Sequence, residues 1–232
     1  MFFPQPLVEA RLIRRYKRFL ADVTLPDGTT AIAHCANPGA MIGLARECAR
    51  VWVAPSPNPK SKLAWRWHLE DVKGCPVAIN TTLANGIVAE ALHEGRIHIL
   101  RDYKRIMPEY TTENARLDFC LMDGDAHCFV EVKSVTLKID DCAAFPDSVT
   151  KRGLRHLHEL ARLRALGHRA VLLWLVMRSD CNACRAAHEY DPAYASEIKA
   201  IQESGVELLA YDTNITLDAI TLGSQLPIQD SF

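Results

Sequence analysis

Apolar and polar positions alternate in short runs through the first third of the chain, and then the period changes. Residues 12–25 mix apolar and basic side chains, Pro26-Asp27-Gly28 marks a turn, and 29–35 resume the strand pattern. Val51-Trp52-Val53 is a further short candidate. Residues 63–72 alternate, with Trp65, Trp67 and Leu69 on one face and Arg66, His68 and Glu70 on the other. Residues 77–79 close the set, and a loop with three prolines in five residues, Pro55-Ser-Pro-Asn-Pro59, interrupts it. Five short strands at this spacing predict a small β-barrel of the OB type.

From residue 80 the pattern is helical, with Leu83, Ile87, Ala91 and Leu92 on one side up to Gly95. Strand signals follow at 117–122 and 128–135, divided by Asp123-Gly124-Asp125. Residues 148–166 read as a helix with Leu154, Leu157, Leu160 and Ala161 inward, ended by Gly167. Residues 170–177 have the length and apolarity of a strand buried on both faces. Asp191-Pro192 opens another helix that ends at Gly205, because proline suits the first helical turn. Residues 206–211 form a last strand. Helices alternating with apolar strands predict an α/β domain over 80–232, after a barrel over 1–79.

Composition narrows the class. A hydrophobic share of 49% with 24% charged residues excludes disordered, collagenous and coiled-coil chains. The longest apolar run, 170–177, falls far short of the roughly 18 residues that cross a bilayer, so no membrane is expected as partner. No signal peptide is visible in Met1-Phe-Phe-Pro-Gln-Pro. Eight cysteines, mostly in apolar runs, read as free buried thiols, which places the protein in a reducing cytoplasm. The net charge of −1 conceals a division. Residues 1–75 hold 11 basic and 6 acidic side chains, leaving 16 and 22 of the totals of 27 and 28 for the remainder. The basic part suits a polyanion.

The chemistry concentrates in Arg116-Leu-Asp118-Phe-Cys-Leu-Met-Asp-Gly-Asp-Ala-His-Cys-Phe-Val-Glu131-Val132-Lys133. On a strand, Glu131 and Lys133 share one face. If Gly124-Asp125 is a two-residue type II′ loop, Asp123 pairs with Ala126, and counting back puts Asp118 opposite Glu131. Two carboxylates and a lysine would then meet. Like charges this close stay ionised only around a cation. Hard oxygens suit Mg²⁺. A surface hairpin with a solvated Glu–Lys pair has the same signature.

The arrangement resembles the core of the PD-(D/E)xK nuclease superfamily, and the whole chain resembles the sugar fermentation stimulation protein A family. The matching stretches are Arg15-Tyr-Lys-Arg-Phe-Leu-Ala-Asp-Val23, His34-Cys-Ala-Asn-Pro-Gly-Ala-Met41, Asn80-Thr81 with Ala84-Asn85, Arg116-Leu-Asp-Phe119 and Val130-Glu-Val-Lys-Ser-Val-Thr136. They continue with Phe145-Pro-Asp-Ser-Val-Thr-Lys-Arg-Gly153, His156-Leu157 and Gly205-Val-Glu-Leu-Leu-Ala-Tyr211. The resemblance implies an N-terminal OB-like β-barrel followed by a restriction-endonuclease-like α/β domain. It also implies Asp118, Glu131 and the Val132 carbonyl as ligands of Mg²⁺ (or Mn²⁺), with Lys133 as catalytic lysine. Superfamily members often add a helical glutamate; Glu90 is the candidate, with Glu94 its rival. Two functions follow. One is a DNA-binding protein with a Mg²⁺-dependent phosphodiester-hydrolysing site. The other is a non-catalytic, largely non-specific DNA-binding regulator of sugar (maltose-type) metabolism that uses the fold as scaffold. The segment Tyr110-Thr-Thr-Glu-Asn-Ala115 departs from the family pattern, lacking the glycine usually found there.

Further candidates lie outside the hairpin. Arg11, Arg14, Arg15, Lys17 and Arg18 cluster within nine residues, with Tyr16 and Phe19 between them. Basic groups neutralise phosphates and aromatics stack on bases, which suits DNA or RNA. In the helix from 148, Arg152, Arg155, His156 and Glu159 fall on one polar face. His34 and Asn37 read as polar surface contacts. Cys181-Asn-Ala-Cys184 with His188 raises zinc, although a single C-x-x-C lacks a second ligand pair.

Overall fold

A computed structural model describes residues 1–58 and 60–229. Pro59, the last proline of the predicted loop, lies outside the described residues. The first sheet comprises β1 (Val8–Tyr16), β2 (Leu20–Thr24), β3 (Thr30–Cys35), β4 (Arg50–Pro55), β5 (Trp65–Val72) and β6 (Cys75–Ala78). Its order is β3-β2-β1-β4-β5-β6, and parallel pairing of β3 with β5 closes a five-stranded barrel. The predicted barrel is therefore present, with one strand more than the periodicity separated. Residues 12–25 are a hairpin. It turns at Lys17 (φ 46°) and Arg18 (φ 67°), left-handed conformations that ordinarily attract glycine, so no turn residue announces it.

β5 departs from the predicted alternation. Trp52 pairs with Leu69 but Val53 pairs with Trp67, so His68 is an unopposed bulge residue. The bulge sends Trp67 into the barrel core with Leu12, Val23, Val51 and Val53. Leu69 and Trp52 face out of the barrel into a second core. The supposed polar face is buried as well. Glu70 is fully covered, and its Oε2 accepts from the Ala45 N–H at 2.8 Å.

After the barrel come α1 (Ala84–His93), β7 (Arg105–Thr111), β8 (Arg116–Asp123), β9 (Ala126–Val135), β10 (Leu137–Ile139) and β11 (Cys142–Phe145). The chain continues through α2 (Lys151–Ala165), β12 (Arg169–Val176), β13 (Ala183–Ala186), α3 (Pro192–Glu203), β14 (Glu207–Ile215) and β15 (Ile220–Gln225). Six strands form a mixed sheet, β15-β14-β12-β9-β8-β7, in which β9, β12 and β14 are parallel. β10, β11 and β13 make a small separate sheet. Local signals set the helix ends: Thr150 caps α2, Asp191 caps α3 with Pro192 in its first turn, and Gly167 and Gly205 follow at positive φ. β12 is buried on both faces, as its continuous apolar run predicts.

The strands the periodicity missed are short or lie at edges. β7 carries Pro108, which an edge strand tolerates because no neighbour needs its missing N–H. The 110–115 segment, without its glycine, still turns: Thr112 Oγ1 donates to the Ala115 carbonyl and accepts the Ala115 N–H. Side-chain hydrogen bonding has replaced glycine's freedom.

Two cores flank the mixed sheet. Leu157, Leu160, Trp174, Tyr194 and Ile198 pack beneath α2 and α3. On the other face, Ile87, Val88, Phe119, Val130 and Leu173 pack with Trp52, Leu69 and Ala78 of the barrel sheet. A backbone bond from Ala78 N–H to the Met177 carbonyl, 2.9 Å, reinforces that junction. Barrel and α/β domain thus share one hydrophobic core. Thermal or urea unfolding is accordingly expected as one cooperative transition. Leu69→Ala should lower stability by about 2–5 kcal/mol and keep one transition; two resolved transitions in the wild-type protein would contradict the shared core.

Candidate active site

The β8–β9 hairpin turns at Gly124 (φ 57°), with Asp125 not at positive φ, which matches a type II′ loop. The register runs from Asp123↔Ala126 to Phe119↔Val130, where the ladder ends, and Asp118 and Glu131 are the residues one beyond it on each strand. Asp118 is fixed by two donors. Its Oδ2 accepts the Val132 N–H and its Oδ1 accepts the Asn85 amide, each at 2.7 Å. Val132 thus meets Asp118 through its own backbone.

Glu131 is only 2% exposed. Its Oε1 accepts Lys133 Nζ at 2.5 Å and also His156 Nδ1, and the two donor nitrogens lie 3.3 Å apart. With Nδ1 donating, His156 Nε2 accepts from Arg152 Nε at 3.4 Å. Glu131 Oε2 is buried and has no hydrogen-bond partner among the described residues. Burial and the Glu131 charge push the Asp118 carboxyl up, against the pull of the Val132 N–H, Asn85 and Lys133. Burial also pushes Glu131 up, but the hydrogen bond from His156 and the charge of Lys133 outweigh it, and the net shift is downward. The site therefore holds one firmly ionised carboxylate beside a second that its neighbour discourages.

These groups line a cavity of about 590 Å³ that both domains wall. The barrel contributes Arg18, Asn37, Pro38 and Gly39, and the start of α2 contributes Thr150 and Arg152. The barrel loop is seated by three independent contacts. The Arg15 guanidinium donates to the Asn37 and Gly39 carbonyls at 2.9 and 3.0 Å. Asn37 Nδ2 donates to the Ile79 carbonyl at 3.0 Å. The Met41 N–H donates to Asp147 Oδ2 at 2.8 Å. A Cβ on Gly39 would lie 2.5 Å from that same oxygen, so any larger residue would displace the Asp147 carboxylate from its place.

The cavity gathers Asp118, Glu131, Val132, Lys133, Arg152, His156 and Arg18 from the residues singled out in the sequence. The others lie elsewhere. Glu90 accepts from the Met1 amino group at 2.7 Å and sits 3.6 Å from Arg96, away from the carboxylate pair. Glu94 pairs with Arg96 at 2.8 Å. The helix instead presents Asn85, five residues earlier and about 140° round the axis. Arg15 spends its donors on loop carbonyls, Arg14 pairs with Asp22 at 2.8 Å, and Arg11 and Lys17 are exposed away from the cavity lining. Arg155 is exposed and outside the lining. Asn37 is buried, contrary to its reading as a surface contact. Asn85, Gly39 and Asp147 were not singled out, although each lies within a family-like stretch.

Cys181 and Cys184 are buried and His188 is exposed. Among the described residues no group of three or more His, Cys, Asp and Glu side chains converges. All eight cysteines are free, and burial drives the Cys181 thiol up to about 12. No helix among the described residues is long and apolar enough to cross a membrane.

A closed OB barrel whose outer face shares a hydrophobic core with a mixed α/β domain, with paired carboxylates beside the seam, defines a two-domain class. The model of the SfsA N-terminal OB domain matches residues 13–79, and that of the sugar fermentation stimulation protein RE domain matches 82–219. The chain belongs to the sugar fermentation stimulation protein family. It is 49% identical to the sugar fermentation stimulation protein homolog of Jannaschia sp. (strain CCS1), over 100% of this chain and 98% of that relative. Identity to the homolog of Magnetococcus marinus is 48%, covering 95% of each. The solved structure of Pyrococcus furiosus SfsA in complex with Ca²⁺ matches with a TM-score of 0.90 over 99% of this chain and 98% of that one. At 23% identity, that match speaks to the fold.

In the middle of α2, Glu159 is buried and bound by Arg162 through two hydrogen bonds of 2.8 and 2.7 Å, with Asn114 as a third donor. Arg162 holds its carboxyl down at about 2, against a usual 4.5. A depressed folded-state value contributes stability above the unfolded value that is lost as pH falls through the folded one. Urea midpoints should therefore fall between about pH 4.5 and 2. Glu159→Gln should cost about 1–3 kcal/mol at neutral pH and flatten that acid limb; an unchanged limb would refute the assignment.

Proposed function

We propose that the chain is a divalent-cation-dependent phosphodiesterase acting on nucleic acid, with DNA as its substrate. One observation carries the reading: Glu131 Oε2 is buried without a partner beside Asp118, inside a cavity rimmed by Arg18 and Arg152. An uncompensated carboxylate oxygen of this kind calls for a cation. The donor set of two carboxylates with the Val132 carbonyl offers only hard oxygens, which fits Mg²⁺ or Mn²⁺. The Ca²⁺ held by the solved relative, another oxygen-preferring ion, supports the same choice.

When bound, such a cation polarises a phosphoryl oxygen and acidifies water. The protein's own residues supply the remainder. Val132 N–H and Asn85 hold Asp118 in one orientation, while His156 holds Glu131, which leaves Oε2 free. Lys133, anchored on Glu131, orients the attacking water and balances charge on the pentavalent phosphorus. Arg18 and Arg152 face the non-bridging oxygens. Water's oxygen bonds to phosphorus as the bond to the leaving oxygen breaks, and the displaced proton finishes on the leaving group.

Wild-type protein with Mg²⁺ or Mn²⁺ should cleave plasmid or single-stranded DNA, and EDTA should stop it. Glu131→Gln, Asp118→Asn and Lys133→Ala should each reduce cleavage by about 10²-fold or more while remaining folded. Equal cleavage by Glu131→Gln sinks the proposal. Salt-sensitive DNA binding without cleavage under any divalent cation would leave the non-catalytic regulator in its place.

A further inference from the structure

The cavity stands at the end of a path across the barrel surface. At the β1–β2 turn, Phe19 is 44% exposed, and its ring stacks on His34 with centroids 6.5 Å apart and planes 28° apart. Ile32, also 44% exposed, lies two positions before His34 on the same face of β3. Arg66 sits opposite His34 on β5. The residue before Phe19 is Arg18, whose left-handed backbone accompanies a place in the cavity lining. One tight turn therefore carries an exposed ring and, one residue before it, an exposed cation that lines the cavity. Across the cavity Val149, 70% exposed, stands at the rim.

Two physical facts restrict what can use this path. Paired bases in a duplex are already stacked and do not present their faces to a protein platform. Unpaired bases do, whatever their sequence. The barrel loop that walls one side of the cavity is held in place by Arg15, Asn37 and Asp147 together.

Resting on the reading of the cavity as a phosphodiester site, we propose that its substrate is a single strand, delivered over the Phe19–His34 platform and past Arg18 to Asp118 and Glu131. Bases stack outside, Arg18 meets the backbone at the entrance, and Val149 wedges against the base on the far rim.

The test is fluorescence anisotropy of the full chain in EDTA, which prevents cleavage. The probes are labelled oligo(dT) of about 20 nucleotides, longer than the roughly 4–16 that one OB fold covers, and a blunt duplex of equal length. The single strand should bind at least about tenfold more tightly. Phe19→Ala combined with His34→Ala should weaken oligo(dT) binding by about tenfold or more and change duplex binding little. Arg18→Ala should reduce the salt slope by about 0.7. Phe19→Leu keeps the apolar bulk, loses the ring and should show the same selective loss. Equal affinity for both probes, binding of neither, or an unchanged double variant overturns the proposal. A strand preference without cleavage keeps the path and removes the phosphodiesterase. Glu131-dependent cleavage of duplex and single strand alike removes the path and keeps the phosphodiesterase.

Discussion

A negative charge buried on the central strand β9 sets the terms for everything around it. Desolvating a carboxylate costs several kcal/mol unless partners meet its oxygens. Glu131 answers with one fully engaged oxygen and one open. Lys133 and His156 converge on Oε1 from β9 and α2, so the helix must pack where its histidine reaches the strand. Asp118 arrives from β8 and adds like charge, which its backbone and amide donors only partly relieve. The remaining imbalance is local to the cavity wall, which Arg18 and Arg152 also line.

The second constraint is the seam. The barrel is fastened to the α/β domain at two levels: apolar packing through Trp52, Leu69 and Ala78, and the polar lock of Met41 on Asp147. The first holds the domains in register, and the second fixes a barrel loop over the carboxylates. Arg15 illustrates how function and structure exchange roles here. Its position in a basic cluster suggests phosphate binding, yet its donors stabilise the loop carbonyls. Arg18, three residues on, enters the cavity instead. A polyanion would thus meet a surface of one domain and a site formed by both.

Much of this was legible from local pattern. The turn glycine and strand period bring Asp118 towards Glu131, because a two-residue hairpin fixes register without reference to the rest of the chain. Helix caps at Thr150 and Asp191 and the doubly buried β12 were legible for the same reason. Helical spacing reveals a polar face but not which end of that face meets the sheet, so it points to Glu90 where the fold brings Asn85 to Asp118. Packing of α1 against both sheets brings Asn85 to Asp118 and leaves Glu90 with Arg96.

The β5 bulge marks the limit most clearly. A single unopposed residue, His68, reverses which side chains point inward, and nothing in the alternation of 63–72 signals it. By itself the sequence determined the barrel and α/β classes, the carboxylate pair and the basic cluster, because strand and helix periods and turn chemistry are written locally in the chain. Tertiary structure alone decided that Glu131 keeps one oxygen unpartnered, that His156 meets Glu131 and that Asp147 seats a loop of the other domain. Those contacts join residues 25 to 106 positions apart, and only the packing of two domains around one core brings them together.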